Sequence, residues 1–358
     1  MKLGISLPIY NTPLAELPAM ATMADDAGFD SVWSYEVYAN PYTVLATAAL
    51  ATSNIALGTG LATASTRHPM HTANQAADVD QLSNGRMLLG LGAGDPELTV
   101  AAGANPRKPL SLMSEYIDQI RLSWDLMASR EPGGYSGEFF TSTVLPGPPV
   151  GPFGRLMDRT RIPIYLAALR PKMLQLAGEK TEGALGCFYT PGFTTDVVLP
   201  NLEIGAARAG RSVDDIDIVS YMICSIHEDR DEAYRRARIH VGTYAAWPGF
   251  DFIVAHEGLQ DDQAALRQAV FTQGMAALET ATSDRLVDGL SLSGTPDEVR
   301  EKARAFEGIV PHLLLHPPAI PPLRAAESRE SFEAILTTFG HAGRSGGELS
   351  ASAGRSHR

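Results

Sequence analysis

The sequence predicts an α/β fold, a (β/α)8 TIM barrel carrying two insertion segments, and two observations point there. Short apolar runs rich in β-branched residues alternate with segments of helical period, and a parallel sheet demands this rhythm because each parallel return needs a crossover. The strand-like runs number eight, the complement of a closed barrel. The rival is a doubly wound open sheet, which takes its ligand at a topological switch point.

Leu3–Pro8 reads as the first strand, followed by a helix over Leu14–Ala27 that Gly28 ends at its C′ position. Ser31–Ser34 is the second strand and Tyr42–Ala51 its helix. Ile55–Leu61 is the third, with a helix over Met70–Leu82 stopped by Asn84-Gly85, and Met87–Leu91 is the fourth. In the long helix Ser111–Met127, Leu112, Tyr116, Ile120 and Trp124 recur every four residues and make one buried stripe. Glu131–Arg161 is rich in Gly and Pro and reads as an insertion, because the alternation then resumes. Ile162–Ala167 is strand five, Lys172–Glu179 a helix, Gly183–Phe188 strand six, Thr195–Arg208 a helix and Ile216–Ile226 strand seven. Asp231–Tyr244 is helical, and Phe250–Leu286 reads as a second, largely helical insertion. Thr295-Pro296-Asp297-Glu298 opens a helix with a Thr cap, Pro at the first position and acids in the first turn. Ile309–Leu315 is strand eight and Leu323–Phe339 closes the fold. Residues 1–340 thus read as one barrel domain, and the Gly, Ser and Arg content of 341–358 as a disordered tail.

Apolar residues at 44% and charged residues at 20% are ordinary globular values. No apolar run approaches the roughly 20 residues that span a bilayer, and Met1–Ile5 enters a strand without a signal-peptide pattern. A soluble, cytoplasmic protein with no membrane partner is expected. The net charge of −12 argues against a nucleic-acid partner, which needs a basic face. Cys187 and Cys224 stand far apart with no CxxC partner, which fits a reducing compartment and small core residues.

Gly90-Leu91-Gly92-Ala93-Gly94-Asp95 invites a dinucleotide-fingerprint reading, but no third glycine opens a helix and Asp95-Pro96 points to a loop. The glycines either let the backbone at a strand end approach something flat, or form a turn with no ligand. Ala167-Ala168-Leu169-Arg170-Pro171-Lys172 runs from strand five into a helix. Pro171 suits its first position, the free N–H groups of that turn would face a phosphate, and Arg170 and Lys172 add positive charge. The alternative is a solvated helix start. His68 and His71 lack acidic or Cys partners, and His312 and His316 lie on one side of a strand but roughly 13 Å apart, so no metal site is expected. His316, at the strand exit, is a pocket candidate, and His312 reads as structural. No GxSxG, HExxH or Walker motif is present.

A resemblance then emerges from several stretches together. Gly28–Trp33, Ala51–Gly60, Arg67-His68-Pro69, Leu82–Gly92, Ile162–Ala168 and Gly294–Val299 are similar to signatures of the luciferase-like flavin- and deazaflavin-dependent oxidoreductases. Thr66–Pro69 and the Gly92–Asp95 turn look closest to the coenzyme F420-using, methylenetetrahydromethanopterin-reductase-like branch. The resemblance implies an enzyme transferring a hydride between coenzyme F420 and a small organic substrate, and a homodimer. It also implies a non-prolyl cis peptide at Gly60-Leu61 backing the cofactor ring. Carried over, ring contacts fall on Gly60, Leu61, Ala62, Gly92, Ala93, Gly94 and Asp95, and the phosphate near Ala167, Ala168, Leu169, Arg170, Pro171 and Lys172. Glu36, Asp95 and His316 become the catalytic candidates: the two carboxylates in acid/base or orienting roles, helped by Tyr38 or His316 at the rim, the alternative being that either carboxylate merely hydrogen-bonds a loop. Two departures stand out. Val37 occupies a position where the family often has His, and Leu169-Arg170 one where the phosphate loop often has glycine. An FMN-dependent monooxygenase fed by a separate reductase is the alternative, and a non-catalytic flavin-binding protein the third reading. The Ser83–Arg86 turn falls on the barrel's bottom face, where it reads as stability.

Overall fold

Eight parallel strands close on themselves, in a computed structural model that describes residues 1–10, 12–37, 39–104, 107–129, 133–144 and 159–341. They are β1 (Lys2–Ser6), β2 (Ser31–Ser34), β3 (Ala56–Thr59), β4 (Met87–Gly92), β5 (Ile164–Ala167), β6 (Gly183–Cys187), β7 (Asp217–Ile226) and β8 (His312–His316). Each pairs with its sequence neighbour, and β8 returns to β1 with Leu313 opposite Leu3. Val219 of β7 faces Leu185 of β6 on one side and His312 of β8 on the other, so no edge remains. The open-sheet alternative is thereby excluded. The main crossover helices are α1 (Leu17–Asp26), α2 (Pro41–Ala51), α3 (Pro69–Leu82), α4 (Pro109–Ser129), α5 (Pro171–Lys180), α6 (Leu199–Arg208) and α7 (Arg230–Ala246), and α8 (Ala325–Phe339) follows β8.

Alternation along the strands sends Trp33, Tyr165, Leu185, Val219, Tyr221 and Leu314 into the barrel, where they form a cluster of their own. Trp33 fills the middle. A Cβ on Gly58 would lie 2.3 Å from its indole, and one on Gly60 3.2 Å away, so the neighbouring strand has no room for side chains there. Below the indole lies a polar floor. Trp33 Nε1 donates to Ser31 Oγ (2.8 Å), which bonds His312 Nε2 (2.7 Å), while Tyr165 Oη donates to Asp217 Oδ2 at 3.0 Å. Lys2 Nζ reaches the same oxygen at 3.1 Å and His312 Nδ1 stands 3.3 Å from it. Burial alone would raise the Asp217 carboxyl, but His312 and Lys2 hold it well below the usual carboxylate range. His312 is structural, as its sequence context suggested.

The bottom turn behaves as expected too. Asn84 (φ 56°) and Gly85 (φ 86°) take left-handed conformations that stop α3. Arg86 then reaches the carbonyls of Ala49, Thr52, Ile55 and Ser83, joining α2 to β4. The Thr295–Glu298 capping box is present at the helix Pro296–Arg304.

Three features depart from expectation. A short strand, Ser291–Gly294, pairs with the far end of β7, Ile223 opposite Ser291; its Ser-Leu-Ser-Gly composition carries no β-branched run. The first insertion contains an antiparallel hairpin, Gly133–Ser136 with Thr141–Val144. Helix α6 begins at Leu199 rather than Thr195, after a π turn over Thr194–Val198, because Pro200 has no N–H to return to the preceding turn. The second insertion is helical, with Asp251–His256, Gln260–Gln273, Leu278–Ala281 and Asp284–Leu290. Tyr38, residues 145–158 of the first insertion and the tail from 342 onward lie outside the described residues.

Gly90 gives a direct test of the packing. A Cβ there would sit 1.8 Å from the carbonyl oxygen of Thr59, a backbone atom that cannot rotate away. Gly90→Ala should lower the unfolding free energy by at least about 3 kcal/mol, at or beyond the upper end of overpacking effects. Urea denaturation measures this, and a change under about 1 kcal/mol would disprove the crowded interior.

Candidate active site

The C-terminal ends of the strands make the barrel's mouth, and its two halves differ in kind. On the β3–β4 side the surface is backbone. The Gly60-Leu61 peptide is cis. Gly60 N–H donates to Ser34 O (2.8 Å) and Glu36 N–H to Leu61 O (3.2 Å), tying this turn to β2. The chain then pairs Ala62 and Thr63 with Leu91 and Gly92 of β4. A Cβ on Gly92 would lie 2.6 Å from the Leu61 side chain and 3.2 Å from Ala167 Cβ. Gly94 has φ +87°, and a Cβ there would meet Thr63 Cγ2 at 2.6 Å. Gly60, Ala62, Gly92, Ala93, Gly94, Ala167 and Ala168 thus bring an arc of backbone and small side chains together around Leu61, across the exits of β3, β4 and β5.

Glu36 sits at the edge of this arc, half-buried. Its Oε2 accepts from Thr63 N–H at 2.8 Å and pairs with Arg67 Nη1 at 2.5 Å, and the Arg67 guanidinium lies 5.8 Å from the centre of the Tyr42 ring. A carboxylate held by a guanidinium and a backbone N–H suits orientation of the Thr63 turn, the second of the two roles expected for it. Asp95 bonds the backbone as well. Its Oδ1 accepts from Glu97 N–H (2.9 Å) and Leu98 N–H (3.0 Å), capping the helix Pro96–Ala101. His68 caps α3 through Nδ1 and its ring edges against Phe140 of the hairpin. The hairpin is anchored in turn by Glu115, which accepts the N–H groups of Glu138, Phe139 and Phe140.

Beside the arc, β5 leads through Leu169 into α5. Arg170 occupies the N-cap position without a side-chain cap, Pro171 follows, and the helix start carries no acidic residue. Arg170 is exposed. Lys172 turns outward into a groove lined by Glu115, Asp118, Glu179 and Arg208, so it stands among carboxylates.

On the β7–β8 side the mouth is aromatic. His316 ends β8 fully buried, 4.7 Å between ring centres from Tyr221, 5.2 Å from Tyr35 and 4.7 Å from His240 of α7. His240 stacks on Tyr244. Burial holds His240 down at about 3, and burial together with His240 pushes His316 well below its ordinary value. Both shifts favour the neutral imidazole. Burial likewise raises Tyr35, Tyr221 and Tyr244, which stay as phenols. Sequence reasoning missed His240; a lone His inside an amphipathic helix carries no signal of its own. Among the described residues, no group of three or more His, Cys, Asp or Glu is arranged to hold a metal ion, and no helix is long and apolar enough to cross a membrane.

A closed (β/α)8 barrel with a backbone-lined arc after β3 and β4 defines a class, and the comparisons give its name. Residues 1–313 match the luciferase-like monooxygenase family, and the chain belongs to it, an oxidoreductase by descent. Within it, the chain is 34% identical over 309 residues to a 5,10-methylenetetrahydromethanopterin reductase of Archaeoglobus fulgidus, covering 84% of this chain and 89% of that one. The solved coenzyme F420 dependent tetrahydromethanopterin reductase from Methanopyrus kandleri superposes with a TM-score of 0.78 at 25% identity, over 94% of this chain and 97% of that one. An F420-dependent secondary alcohol dehydrogenase shares the fold, with a TM-score of 0.71 at 19% identity over 94% and 98%.

The two neutral histidines predict an acid-labile fold. Their folded values lie below the ordinary 6.5, so below that pH the unfolded chain takes up protons that the folded chain refuses. Stability is full above pH 6.5 and is lost as pH falls, by up to about 1.4 kcal/mol per pH unit for each histidine. Urea titrations between pH 7 and about pH 4.5 should show the decline, with a shallower slope for His240→Phe. A flat wild-type profile would contradict the assignment.

Proposed function

We propose that the protein transfers a hydride between coenzyme F420 and a small organic substrate, working in the cytoplasm as a homodimer. One observation supports this most: the stretches Gly60–Ala62, Gly92–Gly94 and Ala167–Ala168 offer a flat ring backbone and small side chains around the apolar Leu61 side chain, beside the uncapped start of α5. The residues fit such a group. A side chain at Gly92 would already collide with Leu61, and the N-terminus of a ten-residue helix favours an anion. The likeness to F420-dependent relatives favours the deazaflavin over FMN.

When bound, the deazaflavin supplies a carbon-centred two-electron hydride couple. The chain's own residues bind and orient. Leu169 and Arg170 would hold the phosphate through their N–H groups and the Arg170 guanidinium, with Pro171 setting the turn and Lys172 at its outer edge. The Glu36–Arg67 pair fixes the Thr63 turn behind the ring, and Asp95 fixes the Gly92–Gly94 loop by capping the helix that follows. The hairpin held by Glu115 walls the mouth above His68.

Titrating the purified protein with coenzyme F420 and FMN separately tests the reading. Tighter binding of F420 is expected, and tight FMN binding without F420 binding would sink it in favour of the FMN-dependent monooxygenase. Arg170→Ala should weaken F420 binding about 10- to 100-fold, the loss of one charge-assisted contact. Lys172→Ala should weaken it less, because Lys172 already faces carboxylates. Unchanged affinity in both variants would move the phosphate elsewhere.

A further inference from the structure

The two edges of the Trp33 indole meet different surroundings. The benzo edge lies against the glycines of β3 and β4. Its Cε3 stands 3.2 Å from where a Gly60 Cβ would be, and Cζ3 3.5 Å from where a Gly90 Cβ would be. The pyrrole edge turns to the floor, and Nε1 donates to Ser31 Oγ at 2.8 Å. An indole N–H only donates, so Ser31 accepts it and gives its own hydrogen to His312 Nε2 at 2.7 Å. His312 Nδ1–H is left for Asp217 Oδ2 at 3.3 Å, where Tyr165 Oη and Lys2 Nζ also converge at 3.0 and 3.1 Å. Four side chains thus make one directed chain between a carboxylate and the indole.

The neighbouring strands make room for this chain. A Cβ on Gly4 of β1 would lie 2.5 Å from Ser31 Oγ and 3.0 Å from His312 Nε2, and one on Gly183 of β6 2.1 Å from the Tyr165 ring. Ser31 and His312 are each only 1% exposed. Replacing buried charged partners by apolar side chains often leaves stability unchanged or raises it. A fully paired network instead holds its members in one arrangement. The member with the longest reach is the indole. Turned over, it would aim its N–H at the glycines of β3 and leave Ser31 without its donor.

We propose that Ser31, His312 and Asp217 are positioning residues: they set the Trp33 indole and, through it, the Gly60-Leu61 turn that backs the proposed cofactor ring. This rests on the reading of that turn as part of the cofactor site. Gly60 has no side chain to stand between its backbone and the indole, and close-packed interiors transmit displacement. A tilt of the indole therefore reaches the Gly60 backbone with nothing to absorb it. The Gly60 N–H is tied to Ser34 O at 2.8 Å, on the strand that carries both Ser31 and Trp33. Residues at the N-terminal end of a barrel ordinarily serve stability alone; here they also shape the site at the opposite end.

The test compares Ser31→Ala and His312→Leu, which break the chain, with His312→Gln, whose amide oxygen can still accept from Ser31. In the full 15N-labelled chain without ligand, both breaking variants should move the Trp33 indole and the Gly60 and Leu61 amide resonances. The Trp124 indole, bonded to Ala73 O, stays in place as the reference. Affinity for coenzyme F420, read by its own absorbance, should fall about 3- to 30-fold, the range for residues coupled through packing. His312→Gln should recover most of that loss. Unmoved Gly60 and Leu61 amides overturn the proposal. So does a lower Tm with F420 affinity unchanged, the signature of a floor that serves stability alone. Should a breaking variant not fold, Ser31→Cys, of similar volume but a weak acceptor, takes its place and is read in the same way. Amides that move in variants of a protein that binds no F420 overturn the cofactor reading alone. Bound F420 with amides and affinity unmoved overturns the positioning role alone.

Discussion

The indole of Trp33 sets the terms for the rest of the barrel. An eight-stranded barrel leaves an interior just wide enough for side chains to fill, and one strand here fills its centre with the largest of them. The neighbouring strands yield accordingly, with Gly58 and Gly60 on β3 and its exit, and Gly90 and Gly92 on β4. Gly58 and Gly60 are crowded by the indole itself, Gly90 by the Thr59 carbonyl and Gly92 by Leu61 and Ala167. The same run of glycines leaves the β3–β4 rim sparse in side chains, with Leu61 and Thr63 packed over Gly92 and Gly94. Core packing and the flat arc at the mouth are therefore one design, and a larger residue at these positions would affect both.

The opposite rim is built on the other principle. Where β3 and β4 withhold side chains, β2, β7 and β8 crowd theirs together as Tyr35, Tyr221 and His316, joined by His240 and Tyr244 from α7. Charge is kept out of this half. The charged pair nearest the mouth, Glu36 with Arg67, turns toward Thr63 on the arc side. Burial then favours the neutral form of both imidazoles, where a neighbouring carboxylate would have favoured the imidazolium.

The eight strands were legible because each is a short apolar run bounded by turn residues, and the closing of the ring followed from their count. The strand Ser291–Gly294 was not, since its small polar residues pair with β7 only because that strand outruns its neighbours. The stretches Gly60–Ala62 and Gly92–Asp95 were marked by the family's motifs, whereas the sequence left the roles of Glu36 and Asp95 open: an acid at a strand exit and an acid before a helix look alike in sequence whether they meet substrate, a guanidinium or a backbone N–H. His316 was legible as a strand-exit residue and His240 was invisible. Their meeting depends on the rotation of α7 against β8, which no local pattern encodes.

The polar floor carries a further consequence. Lys2, Ser31, Tyr165, Asp217 and His312 knit the N-terminal end of the barrel into a hydrogen-bonded plug beneath the indole. The interior is a blind-ended vessel, stoppered below by paired charges and in its middle by an aromatic ring. The hydrogen-bonded floor closes the barrel's N-terminal end, so the strands present their chemistry at the mouth alone.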